Sequence, residues 1–225
     1  MNNGASSGVE PSLKRISVRI VAFPPVDAHV VRLVDPRRPW TVAEMADRAG
    51  ATEGFVSRTF KTLARDAYVE RARRATRPAD PGGLLDAWVA SRPQAEQVRE
   101  AVSLFGGLEA LLHRIADVSP SPGYALTAEA AADRVSPYAR YSRVELYVTD
   151  LADPWDELLE LTTVPRGGNV ILHLSADAGI FDGAFETQGL RVVSRPQMYV
   201  DLVRREGAAA EAAATLRERD LLWPR

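Results

Sequence analysis

The stretch from Trp40 to Arg77 leaves this chain the fewest choices of local structure. It reads WTVAEMADRAG followed by ATEGFVSRTFKTLARDAYVERARRATR. Thr41 is placed to cap a helix by accepting from a first-turn N–H, Glu44 to reciprocate, and Trp40 and Met45 fall where apolar residues staple a helix start. Val42, Met45, Ala46 and Ala49 then recur at i, i+3, i+4 and i+7, so one face is apolar while Glu44, Asp47 and Arg48 look outward. Gly50 supplies a permissive turn position. Thr52 caps a second expected helix, roughly Glu53 to Arg65, which buries Val56, Phe60 and Leu63.

The second helix leaves Thr52, Glu53, Ser57, Arg58 and Lys61 to solvent or to a partner, at the end where a recognition helix meets base edges. Tyr68 to Arg77 adds Arg71, Arg73, Arg74 and Arg77 on an expected two-stranded wing, a shape suited to phosphate contact. The expected partner is double-stranded DNA. Arg58, Lys61 and the wing arginines would engage phosphates or guanine edges, with Thr52 and Ser57 refining register, and a homodimer would match a palindromic site. The bland alternative is a winged helix used for protein contacts, its arginines marking only a solvated surface.

Charge is divided unevenly. Residues 1–80 hold 14 Lys/Arg and 9 Asp/Glu, a net of +5, whereas residues 81–225 have a net of −7, so only the first part suits a polyanion. The absence of cysteine excludes a disulfide scaffold, a thiol nucleophile and a thiolate metal site. His29, His113 and His173 are far apart in sequence and carry no metal motif. No apolar run reaches the roughly 18 residues of a membrane span, and the first residues lack a signal-peptide pattern, so a cytoplasmic setting without membrane contact is expected.

The whole chain reads as α+β. Residues 1–15 form a polar tail expected to be disordered, and 16–80 a winged helix-turn-helix domain, with a strand at Ile16 to Phe23 and a first helix from Asp27 through Leu33 or Val34. Residues 81–123 are expected to be a helical linker, with helices around Leu84 to Val89, Pro93 to Val98 and Leu108 to Ile115. Residues 124–225 read as a mixed α/β domain with strands at Val144 to Val148, Val170 to Leu174 and Leu190 to Ser194. Helices are expected after Thr127, from Pro154 to include Trp155, Leu158, Leu159 and Leu161, over Arg195 to Val203 and over Ala208 to Arg219, with Leu216, Leu221, Leu222 and Trp223 docking the terminus.

Nothing in this part forms a catalytic constellation, so no enzyme activity and no cofactor are expected. Gly167-Gly168-Asn169 lacks the lysine and hydroxyl of a phosphate loop and reads as a turn before a buried strand. Asp177 and Asp182 read as a solvated loop, His173 as a hydrogen-bonded structural histidine, and Ser194 has no adjacent base to activate it.

The order of segments resembles the AbiEi-type antitoxin and transcriptional-regulator family, in its actinobacterial branch of winged helix plus α/β domain. The resemblance is carried by RPWTVAEMADRAGATEGFVSRTFKTLARDAYVERARR and DPGGLLDAW, then by GYALTAEAAADRVSPY, VELYV, GGNVILH and VVSRPQMYVDLVRREGAAAEAAATLRER. It implies a winged domain that binds operator DNA, with Thr52, Glu53, Ser57, Arg58 and Lys61 matching the reading helix and Arg71, Arg73 and Arg74 the wing. It also implies a possible protein partner, a nucleotidyltransferase-like toxin whose operon such antitoxins autoregulate. Two positions depart from the expected pattern: Ala67 stands where glycine often precedes the wing, and Gly54 leaves a contact position without a side chain. The alternative to a DNA-binding regulator is a protein-interaction module such as a type IV antitoxin with little intrinsic DNA affinity.

Overall fold

Helix α1 (Val42–Arg48) begins where its cap dictates. In the computed structural model, which describes residues 39–91, 97–117, 123–137, 141–151, 155–175 and 178–221, the Glu44 N–H donates to Thr41 Oγ1 at 3.1 Å and the Thr41 N–H to Glu44 Oε2 at 2.9 Å. The helix ends at Gly50, φ +60°, as the Ala51 N–H reaches back to Ala46 O at 2.9 Å and the Gly50 N–H to Asp47 O at 3.3 Å. Helix α2 (Glu53–Arg65) follows at once and buries Val56, Thr59, Phe60 and Leu63. It leads through Ala67 into the hairpin of β1 (Val69–Arg71) and β2 (Thr76–Pro78). Trp40, 3% exposed, exchanges two backbone hydrogen bonds of 2.7 Å with Thr76, so the residue that staples α1 also borders the hairpin. The tail expected over 1–15, the strand from Ile16 and the helix from Asp27 lie outside the described residues.

Helix α3 (Pro81–Ser91) starts with Asp80 Oδ1 accepting from the Gly83 N–H at 2.8 Å, and buries Leu84, Leu85 and Trp88. The rest is built on a seven-stranded mixed sheet. Its strands are β3 (Gln97–Ser103), β4 (Tyr124–Thr127), β5 (Val144–Val148), β6 (Leu161–Thr163), β7 (Val170–Leu174), β8 (Phe185–Thr187) and β9 (Leu190–Val192), in the order β6-β3-β7-β5-β4-β9-β8. The β5–β7 and β4–β9 pairs are parallel and the others antiparallel. Helices α4 (Leu108–Asp117), α5 (Ala128–Val135), α6 (Trp155–Leu158), α7 (Arg195–Leu202) and α8 (Ala208–Arg219) surround it.

Register decides what each face carries. Leu126, Leu146 and Leu172 stand side by side on β4, β5 and β7, all fully buried. Tyr124 shares their face, meeting Trp155 edge-on at 5.9 Å and reaching Ile115 O with its hydroxyl at 3.5 Å, so α4 and α6 cover it. The opposite face carries Thr127, Glu145, Tyr147 and His173 beneath α5 and α7.

The linker expected to be helical over residues 81–123 is a correction. It contributes α3 and α4, but Gln97–Ser103 is a strand paired with both β7 and β6, and Val98, expected at the end of a helix, lies in it. Its inward positions are Ala101 and Ser103, small or polar, so no hydrophobic alternation announced it. The buried Ser103 hydroxyl donates to Leu159 O at 2.7 Å. Tyr124–Thr127, four fully covered residues, has no alternation to read either. The helix expected from Pro154 to include Leu161 stops at Leu158, Glu160 takes φ +49°, and Leu161 opens β6. Pro154, Asp177, Leu222 and Trp223 lie outside the described residues.

Gly168 shows why the paired glycines precede β7. A Cβ there would sit 2.4 Å from Ala101 O and 2.8 Å from Ala101 N, so only glycine lets the chain pass against β3. Asn169 then clamps the same strand, accepting from the Ser103 N–H at 2.8 Å and donating to Ser103 O at 3.0 Å.

Candidate nucleic-acid interface

The outward side of α2 and the hairpin belong to one unit. The Tyr68 N–H donates to Leu63 O at 2.9 Å, tying the hairpin entrance to the last turn of α2, and the two elements pack together. Glu53, Arg58 and Lys61 are exposed along α2. Thr52 is exposed too, but its Oγ1 accepts from the Phe55 N–H at 3.3 Å as the helix cap. Ser57 is half-buried, so its hydroxyl faces a partner only at the edge of the surface.

Arg71 ends β1, Arg77 sits in β2, and Arg73 and Arg74 occupy the tip, closed by the Ala72 N–H donating to Ala75 O at 2.8 Å. All four are exposed. Among the described residues, Arg58, Lys61, Arg71, Arg73, Arg74 and Arg77 make no ion pair with a carboxylate. Unpaired surface cations draw and release counterions freely, which is what a polyanion exploits.

Sequence reasoning missed two arginines whose charge is already engaged. Arg65 binds Asp66 at 3.0 Å, and Arg48 lies over the Trp40 ring at 5.6 Å. It also missed Phe55, whose ring lies 6.0 Å from the Arg58 guanidinium carbon. The i, i+3 spacing of Phe55 and Arg58 was the available signal.

A second concentration of polar side chains lies in the sheet body. Glu145, with a side chain 2% exposed, takes hydrogen bonds from both Arg205 Nη atoms, the Nη2 contact being 2.8 Å. Its Oε2 is also 2.8 Å from His173 Nε2, and Arg143 Nε approaches Oε1 at 2.9 Å. Burial alone would raise the Glu145 carboxyl, but the hydrogen bonds and charges of Arg205 and His173 outweigh it and hold it well below the usual carboxylate range. For Arg205, burial disfavours the charge, while Glu145, Glu129 and Asp201 more than restore it and push the guanidinium further up. Next to them Asp201 accepts from Thr127 Oγ1 at 2.6 Å, Gln197 Nε2 at 2.9 Å and the Tyr147 hydroxyl at 3.2 Å.

This arrangement cross-links β5 and β7 to α5 and to the segment that follows α7, and both Glu145 oxygens are taken up by Arg205, Arg143 and His173. Thr127 places its hydroxyl on Asp201 rather than on the first turn of α5. Ser194 caps α7, its Oγ accepting from the Gln197 N–H at 3.3 Å. Among the described residues, no cluster of three potential metal ligands occurs and no helix is long and apolar enough to cross a membrane.

The unit bearing α2 reaches the sheet body through α3. The Ala79 and Asp80 N–H groups donate to Tyr68 O at 2.9 and 3.1 Å, and on the far side Arg217 of α8 approaches Gly82 O and Asp86 Oδ2, both at 3.3 Å. Arg217 also lies 5.2 Å over the Tyr199 ring of α7, and Arg204 donates to Val89 O.

A family model described as a transcriptional regulator, AbiEi antitoxin of a type IV toxin–antitoxin system matches residues 77–222. The matched span covers Arg77, α3 and the whole sheet body, and leaves α1, α2 and the tip of the hairpin outside. No curated protein and no solved structure matches the chain.

Proposed function

Because the chain belongs to the family of AbiEi antitoxins and transcriptional regulators of type IV toxin–antitoxin systems, we propose that it is a sequence-specific DNA-binding regulator acting by operator occupancy. The observation that carries this reading is one continuous unit with Arg58 and Lys61 exposed on α2, Arg71, Arg73, Arg74 and Arg77 exposed on the adjoining hairpin, and no described carboxylate neutralising them. The unit acts as a winged helix-turn-helix: α2 enters the major groove and the hairpin lies along the backbone. A homodimer places two such units on a palindromic site.

Genomic-fragment selection with the purified protein, followed by footprinting of the enriched duplex, tests the reading. A protected site with two related half-sites is expected; enrichment of no fragment above background refutes it.

A second reading follows from the extent of the family match, which takes in the acidic sheet body and leaves α2 outside. On that reading the body acts as an antitoxin module, with a nucleotidyltransferase-like toxin as partner, and has little intrinsic DNA affinity. Co-purification of such a partner together with failure to shift any genomic duplex would favour it.

A further inference from the structure

We propose that Arg58 is the residue with which α2 reads sequence, and that the base it reads is a guanine. Arg58 can do so only if α2 enters a groove, so the assignment rests on the DNA-binding reading above.

Few groups on the outer side of α2 are free to read a base. Thr52 Oγ1 is held in place by accepting from the Phe55 N–H at 3.3 Å, Ser57 is half-buried, and Arg65 stands at the far end of the helix, paired with Asp66 at 3.0 Å. Glu53 carries only acceptors, which could match the N4 donor of a cytosine but not guanine, and the phosphate backbone repels it. Arg58 and Lys61 remain. Lys61 is a compact charge on a flexible stem, suited to phosphate; Arg58 is a planar fork that matches the O6 and N7 acceptors of guanine in the major groove. No Asn or Gln occurs on α2 to read adenine in the same way.

Gly54, one turn before Arg58, supplies the second observation. Glycine in a helix interior costs about 1 kcal/mol relative to alanine, and Gly54, in the first turn of α2, carries a smaller cost of the same sign. Nothing among the described residues asks for it: Gly54 does not have a positive φ, and of the described side chains a Cβ there would meet only Arg58 Nη1, at an ordinary 3.8 Å. An exposed helix thus keeps an unfavourable residue that creates open space directly beside a guanidinium. Phe55, on the adjacent position, offers its ring at 6.0 Å as a platform that narrows the motion of the Arg58 side chain. Open space beside an oriented planar donor is what close approach of a base edge requires, and a local rule broken without internal cause marks a functional site.

The test uses the full-length protein and the duplex that it enriches from genomic fragments. Each guanine of the protected stretch is replaced in turn by 7-deazaguanine, which lacks the N7 acceptor. At one guanine per half-site the wild type is expected to lose about tenfold in affinity. Arg58→Ala, weaker at the outset, should show no further loss at that guanine, because the two changes remove one and the same interaction. Gly54→Leu is expected to raise the melting temperature and yet weaken binding to the enriched duplex at least about tenfold, a combination that a purely structural glycine cannot produce. Losses from 7-deazaguanine that are undiminished in Arg58→Ala would overturn the assignment to Arg58 and leave the regulator reading standing. Wild-type affinity in Gly54→Leu would overturn the role of the open space, and failure to enrich any duplex would overturn both readings together.

Discussion

Replacing Glu145 by glutamine removes the one negative charge that Arg205, His173 and Arg143 converge on, while keeping the size of the side chain. Removing one partner of a buried ion pair costs about 3–5 kcal/mol, because the other charge is left uncompensated. Here the cost is smaller, since the Arg205 side chain is 25% exposed and keeps Glu129 at 3.1 Å, so about 2–4 kcal/mol is expected. For a chain of this length that lowers the melting temperature by about 5–15 °C. The pH dependence has a definite sign. Because the folded-state carboxyl is held below its usual range, its stabilisation is fully present above the unfolded carboxylate pKa and is lost as pH falls towards the folded value. Urea titrations of wild type and Glu145→Gln should therefore differ by about 1 kcal/mol less at pH 3.5 than at pH 5.5. A fall in melting temperature below about 2 °C, or a gap that does not shrink in acid, would refute the view that an ionised Glu145 ties β5 and β7 to the end of α7.

Arg73→Ala, at the hairpin tip, should weaken binding to specific and nonspecific duplexes by a similar factor and reduce the slope of log affinity against log salt by about 1; binding unchanged across salt concentrations would remove Arg73 from the interface. Ala67 has φ +63°, a conformation costing about 1–2 kcal/mol for a residue with a Cβ, so Ala67→Gly should stabilise the protein by about 0.5–1 kcal/mol after the added freedom of the unfolded chain is subtracted. An unchanged or lower denaturation midpoint would count against it. Gly168→Ala drives a methyl into the backbone of Ala101 and is expected to cost more than about 2 kcal/mol, so a soluble variant melting within about 4 °C of wild type would show that β3 yields there.

The helix pair and the hairpin were largely legible in sequence because each of their devices is local. The Thr41–Glu44 box, the Gly50 turn and the Thr52 cap act within a few residues, and the structure places α2 over Glu53–Arg65 as the pattern requires. The same holds for β5, β7 and α8, whose apolar run or alanine-rich composition spells out the element. The approach of Arg58 to Phe55 was signalled only by their i, i+3 spacing, and the pairing of Arg65 with Asp66 was not legible, since both depend on rotamers selected once the helix surface exists.

The sequence by itself determined where the helices of the first unit begin and end, which arginines flank them, and that an apolar strand lies at Val170–Leu174, because caps, turns and periodicity are properties of neighbours along the chain. Only the tertiary structure decided that Gln97–Ser103 is a strand rather than a helix, since its inward residues are small and gain their place from the β6 and β7 ladders on either side. It alone brought Glu145, His173 and Arg205 together: they are separated by 28 and 60 residues in sequence, and it is strand register that puts a carboxylate and an imidazole on one face, under the helix end that delivers the guanidinium.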